Sequence, residues 1–230
     1  GTGALTIMSS GSSTGTNGFG IAATNNGTDL TVSANNTTGG IAGISAINYN
    51  IGTGTLSVTS NGAAMGGDFG IFAQNGSMGL LSVTASGMVR GGNGAGIATQ
   101  SVPGGAVAIN LTSAANVGTS DGGSSVAILD AGAGDAVVTI NAGARIAGSI
   151  MLGDGNDTLN IASGVSLDNV TMLSGDAGAT PLPPPGDDGQ TLGIASGKSL
   201  TAGVGAFIDT LNLNTGFAGD LNDFERIRLD

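Results

Sequence analysis

The chain has 230 residues, 45 of them glycine, and no cysteine, histidine or tryptophan. Without thiols or imidazoles it offers no zinc finger, no cysteine nucleophile and no Ser-His-Asp triad. Five basic residues against sixteen acidic ones, a formal net charge of -11, argue against a nucleic-acid surface and against binding to anionic membranes.

Disorder is the first reading to test in a chain so rich in Gly, Ser, Thr and Asn. It fails because apolar residues recur in order and the mean hydropathy is positive, +0.28. No run approaches the roughly 18 apolar residues of a membrane helix. No signal peptide opens the chain and Gly1 reads mid-pattern, so the sequence reads as part of a longer precursor.

From the N-terminus, an apolar-polar-apolar tripeptide repeats. It occurs as Leu5-Thr6-Ile7, Leu30-Thr31-Val32, Leu56-Ser57-Val58, Leu81-Ser82-Val83, Val107-Ala108-Ile109, Val138-Thr139-Ile140 and Leu159-Asn160-Ile161. The first four intervals between these copies are nearly equal; the fifth is longer and the sixth shorter. A second anchor lies upstream of most of them, at Ile21, Ile47, Ile71, Ile97, Ile128 and Ile150. Asn26-Gly27, Asn61-Gly62, Gly66-Gly67 and Asn75-Gly76 supply turns between the anchors.

Each repeat therefore predicts at least two short strands with inward apolar residues at period two. A repeat of about 25 residues built this way is one coil of an all-β parallel β-solenoid. Roughly nine coils at about 4.8 Å would make a monomeric rod on the order of 40 Å long. An outer-membrane barrel is the rival, but one Tyr and six Phe are too few for its aromatic girdles.

Past residue 165 the pattern weakens. Residues 181 to 189, rich in Pro and Asp, predict a surface loop extruded between coils, because proline donates no ladder bond. Strand signal returns at Leu192-Gly193-Ile194, Ser199-Leu200-Thr201 and Thr210-Leu211-Asn212-Leu213. Residues 221 to 229, with Phe224, Ile227 and Leu229, read as a final coil that Phe207 and Phe217 help to close. Residues 1–230 thus read as a single domain.

Three segments carry a resemblance. GDFGIFAQNGSMGLLSVTASGMVRGGNGAGIATQ, residues 67 to 100, resembles the repeat of autotransporter (type V secretion) passenger domains, through Gly70-Ile71, Ala73, Asn75 and Gly96-Ile97-Ala98. IMLGDGNDTLNIASG, residues 150 to 164, resembles a late passenger rung. DTLNLNTGFAGDLNDFERIRL, residues 209 to 229, resembles the segment just upstream of the family's autochaperone region. The resemblance implies a right-handed β-helix, export through both bacterial membranes, and a place at the cell surface or in secreted material.

Other motifs each have two readings. Gly153-Asp154-Gly155-Asn156-Asp157 resembles the calcium nonapeptide of RTX proteins, with Asp154 and Asp157 as candidate ligands and residues 132 to 138 as a possible neighbouring half-site. The alternative is a glycine turn capped by Asp. Gly118-Thr119-Ser120-Asp121-Gly122 matches Gly-x-Ser-x-Gly, but no histidine exists to activate the serine, so it reads as a polar loop. Asp187 and Asp188, in the Pro-rich loop, are candidates for a binding contact. Arg90, Arg145 and Lys198 stand isolated in sequence, which argues against a lyase site beside the acids. The polar middles of the tripeptides suggest solubilising ladders.

The expected function is a non-catalytic exported passenger fragment, acting as adhesin or interaction scaffold toward a host or neighbouring-cell surface protein or glycan. No cofactor, nucleic acid or membrane insertion of this segment is expected. The alternatives are a polysaccharide-active enzyme on a β-helix and a calcium-stabilised RTX-like solenoid.

Overall fold

The computed structural model describes residues 3–49, 52–119 and 126–175, then 200–201, 210–213, 220–222, 224 and 226–229. These residues form strands and no helix, and every strand pair is parallel. Successive strands along the chain do not pair with each other; each pairs with its counterpart one turn away. The result is a β-solenoid of about six turns, with roughly 26 residues per turn. The nine coils expected over the whole chain are not all described, because residues 181 to 189 and most of those around them lie outside this set.

A turn has three strands where the sequence pattern indicated at least two. The third turn illustrates it: Leu56–Ser60, Ala64–Gly66 and Phe69–Asn75. The first face continues through Leu81–Ala85, Val107–Leu111, Ala136–Ile140 and Thr158–Ile161, and Thr210–Leu213 and Arg226–Leu229 add to it. The second face runs through Met88–Gly91, Asn116–Thr119, Arg145–Ala147 and Ser166–Asn169. The third runs from Phe19–Asn25 and Ala42–Asn48 through Phe69–Asn75 to Ala95–Ser101, Val126–Asp130, Ser149–Met151 and Met172–Ser174. In the first two turns the first and second faces merge into the long strands Leu5–Gly15 and Leu30–Gly39, with a bulge between Ser9 and Ser12.

The core is a set of vertical columns. Leu30, Leu56, Leu81 and Val107 stack in register on the first face, beside Val32, Val58, Val83, Ile109, Val138 and Leu159. On the third face Ile21, Ile44, Ile71, Ile97, Ile128 and Ile150 form one column. All of these are buried. Burying one such side chain stabilises by about 1.5–3 kcal/mol, and no single turn could bury its own set.

Two expected positions are corrected. The third-face anchor of the second turn is Ile44, not Ile47; Ile47 pairs with Thr24 and Gln74 and is only half-buried. Ile109 stacks on Val138, so Ile140 and Ile161 belong to the next column, with Leu111. A two-residue slip keeps every side chain on its own face and so leaves no trace in a period-two pattern.

At the end of the third face, Asn25, Asn48 and Asn75 stack in register and are buried. Asn25 Nδ2 donates to Asn48 Oδ1 at 3.4 Å, and Asn48 Nδ2 to Asn75 Oδ1 at 3.2 Å. The same amides bind turn carbonyls of Asp29, Thr28 and Gly79. Each amide both donates and accepts, so a buried chain of them satisfies itself across turns.

Candidate functional site

The corner that leads from the third face back to the first holds the predicted calcium candidates. Residues 132 to 135 and 153 to 156 stack there, so the two half-sites seen in the sequence do lie on adjacent turns. The Asp154 amide donates to the Gly132 carbonyl at 3.0 Å. Asp135 Oδ1 accepts from the Asn156 amide at 2.9 Å and from Asn156 Nδ2 at 3.2 Å. The approach is close: a Cβ at Gly134 would collide with the Gly105 carbonyl, so only glycine fits.

Asp154 and Asp157 do not converge. Asp154 borders a surface cleft with Asp135, Pro103 and Gly105. Asp157 is buried, and its Oδ1 accepts the Ala136 amide at 2.7 Å, while its carbonyl accepts the Thr210 amide at 2.7 Å. Asp157 thus ties three successive turns of the first face together. Among the described residues no three carboxylates gather into a cation-sized cluster.

Asp130, which the sequence did not flag, is a second buried carboxyl of this corner. It is fully buried at the end of its strand. Thr99 Oγ1 donates to Oδ1 at 2.9 Å, and the Gly132 amide at 3.2 Å; Oδ2 has no partner among the described residues. Burial pushes its pKa up to about 6, against the smaller opposing effect of Thr99 and Gly132. The Ser101 hydroxyl, also buried at this corner, has no partner among the described residues either. The available signal was positional: Asp130 is the last residue of its strand, as Asn25, Asn75 and Ser101 are of theirs, but two residues nearer the isoleucine anchor.

The outer faces differ from one another. Two columns cover the first face: Thr6, Thr31, Ser57, Ser82, Ala108, Val137, Thr158, and Met8, Ser33, Thr59, Thr84, Asn110, Thr139, Asn160. Thr139 and Asn160 sit in the second column, beside Asn110, rather than continuing the first. The third face carries Ser45, Phe72, Ala98, Leu129 and Met151 in consecutive register. Phe69 and Phe72 lie 5.6 Å apart between ring centroids.

The second face carries charge. Arg90 pairs with Gly118, and Asn116 with Arg145, so two arginines far apart in sequence share one surface. Arg90 Nη2 donates to Asn116 Oδ1 at 2.6 Å, and Nη1 to the Asn116 carbonyl at 3.1 Å. Partial burial lowers the Arg90 pKa, which leaves so strong a base charged.

The remaining sequence candidates divide simply. Phe224 is buried, and Ile227 and Leu229 pair in register with Leu211 and Leu213. Phe207, Phe217, Asp187, Asp188, Lys198 and Ser120 lie outside the described residues. No helix among the described residues is long and apolar enough to cross a membrane. The chain matches no family model, no curated protein and no solved structure.

Proposed function

We propose that this chain is a non-catalytic segment of an exported bacterial passenger domain, a stiff stalk that presents an adhesive or interaction surface outside the cell. The observation that carries the reading is the in-register recurrence of the passenger-like repeat: Ile71 lies over Ile97, Ala73 over Thr99 and Asn75 over Ser101. Such stacking gives a rod whose every turn repeats the same inner columns while its outer residues vary freely. The outer hydroxyl columns suit solubility without charge. The strongest pair of carboxylate candidates has one member at the surface and one buried, which does not suit two-carboxylate catalysis.

The reading is tested by incubating the purified chain with host cells, with and without prior protease treatment of the cells. Saturable, protease-sensitive or glycosidase-sensitive binding is expected. Absence of binding, together with failure of the native gene product to become protease-accessible on intact bacteria, would contradict it.

A further inference from the structure

The chain has five cations against sixteen carboxylates, yet two of the cations have no acid partner among the described residues. Among the described residues the Arg90 side chain bonds only to Asn116 and the Val89 carbonyl. Arg145 is exposed, and its side chain makes no hydrogen bond or ion pair among the described residues. Arginines with no acid partner among the described residues stand out in so acidic a protein.

Their placement puts them on one face. Arg90 leans across the sheet to the neighbouring strand, where its guanidinium rests on Asn116. Asn116 is the direct register partner of Arg145, so the Arg90 guanidinium rests on a residue one strand spacing, about 4.8 Å, from the Arg145 backbone. The position between Arg90 and Ala147 is Gly118, where a Cβ would lie 3.2 Å from Arg90 Nη1. On the strand between the two cations, Asn116 is therefore the side chain that bridges toward Arg145, and Gly118 leaves the backbone beside Arg90 bare.

Beside Arg145 opens a cleft of about 430 Å³, bordered by Gly143, Gly164, Ser166 and Asn169. Its volume falls in the range of small-ligand sites, roughly 300–1,000 Å³. Gly143 and Gly164 have φ of 91° and 81°, which makes the tight corners that leave this space. The border offers an amide, a hydroxyl and small side chains, with no aromatic pocket to anchor a peptide side chain. A long polyanion would be repelled by the net charge of -11, but one carboxylate held at short range would not, since screening confines distant charges to about 8–10 Å.

We propose that Arg90 and Arg145 form a binding site for a carboxylate-bearing sugar, a uronate unit of a short acidic oligosaccharide. The exposed fork of Arg145 takes the carboxylate in two parallel N–H···O bonds. Arg90, two strands away from Arg145 and fixed by Asn116, adds positive charge from outside the cleft. Asn169 and Ser166 border the space that the sugar hydroxyls would fill. The site is a property of this face and does not depend on whether the chain is exported.

The test is calorimetric titration of the whole chain with tri-galacturonic acid, with its methyl-esterified neutral counterpart, and with sodium acetate. Saturable binding of the acidic trimer alone is expected, weakening as NaCl is raised. Arg145→Ala should reduce the affinity roughly tenfold or more, the scale of a lost charge-assisted pair. The Arg145 side chain is exposed and makes no bond among the described residues, so an unchanged melting temperature is expected for that variant and keeps the result interpretable. Arg90→Gln should act in the same direction. No binding of the acidic trimer, or binding that survives both substitutions, would overturn the proposal. Acetate binding as tightly as the trimer would overturn the assignment to a sugar.

Discussion

The same corner of the solenoid is built in two ways. In the first three turns it is closed by Asn25, Asn48 and Asn75, whose amides bond to each other and to turn carbonyls. In the fifth turn it is closed by Asp130, equally buried, whose carboxyl accepts two bonds on one oxygen and, among the described residues, none on the other. An amide carries donors and acceptors and can pass a hydrogen bond from turn to turn. An ionised carboxylate only accepts, so it cannot continue the chain. The comparison teaches that stacking repeats select chemistry as well as size at their corners, and that a carboxylate there makes stability depend on pH.

The largest expected effect sharpens the register on which the comparison rests. Ile44 is fully buried beneath the corner that Asn48 closes, while Ile47 is half-exposed. Ile44→Ala should cost about 2–5 kcal/mol in urea unfolding and Ile47→Ala less than about 1 kcal/mol. Equal effects would undo the column assignment.

Breaking the amide chain comes next. Asn48→Ala removes the donor to Thr28 and Asn75 and the acceptor for Asn25, leaving buried polar groups unpaired. A loss of about 3 kcal/mol is expected. A loss under about 1 kcal/mol, the scale of one ordinary hydrogen bond, would mean that the ladder is an ornament of the corner.

Removing the charge at Asp130 is a gentler test. The folded pKa of Asp130 is about 6, raised from the ordinary 3.8. Its contribution to stability is therefore fully present below pH 3.8, is lost as pH rises to 6, and is constant above that. Asp130→Asn removes the titration. Relative to the parent, the variant should gain about 3 kcal/mol at pH 7.5 and nothing at pH 3.5. A difference that does not change with pH would refute the buried-charge reading.

Calcium gives the smallest effect. Asp154 at the surface and Asp157 inside do not form one ligand set. Millimolar calcium against chelator should therefore move the melting temperature by less than about 2 °C, below what 1 kcal/mol does to a chain of this size. A rise of about 10 °C, several kcal/mol on the same scale, would restore the RTX-like alternative.

Much of the architecture was legible because tripeptides such as Leu56-Ser57-Val58 place two large apolar residues on one side of a short strand. The second face was not, because Ala64–Gly66 and Arg145–Ala147 each turn only one residue inward, Ala64 and Ile146, and one residue has no period. The slip at Val138 and the exchange of Ile44 for Ile47 were hidden for related reasons: two alternatives of similar hydrophobicity lay within a few residues. The candidate sites were less legible still. Arg90 and Arg145 look isolated in sequence, and only the winding of the coil between them into two turns brings them to one face. Asp130 carried no motif at all; its character comes from burial.

The most direct test of the stacked fold measures rung spacing. The chain lacks cysteine, so Thr6→Cys with Val137→Cys gives two unique sites for spin labels. These positions are joined by five successive register pairs through Thr31, Ser57, Ser82 and Ala108. At about 4.8 Å per rung, the backbone separation is about 24 Å. A narrow distribution by double electron–electron resonance, centred near that distance after allowance for the label arms, is the expected result. A broad distribution, or one centred at twice that distance, would contradict the in-register stack and everything placed on its faces.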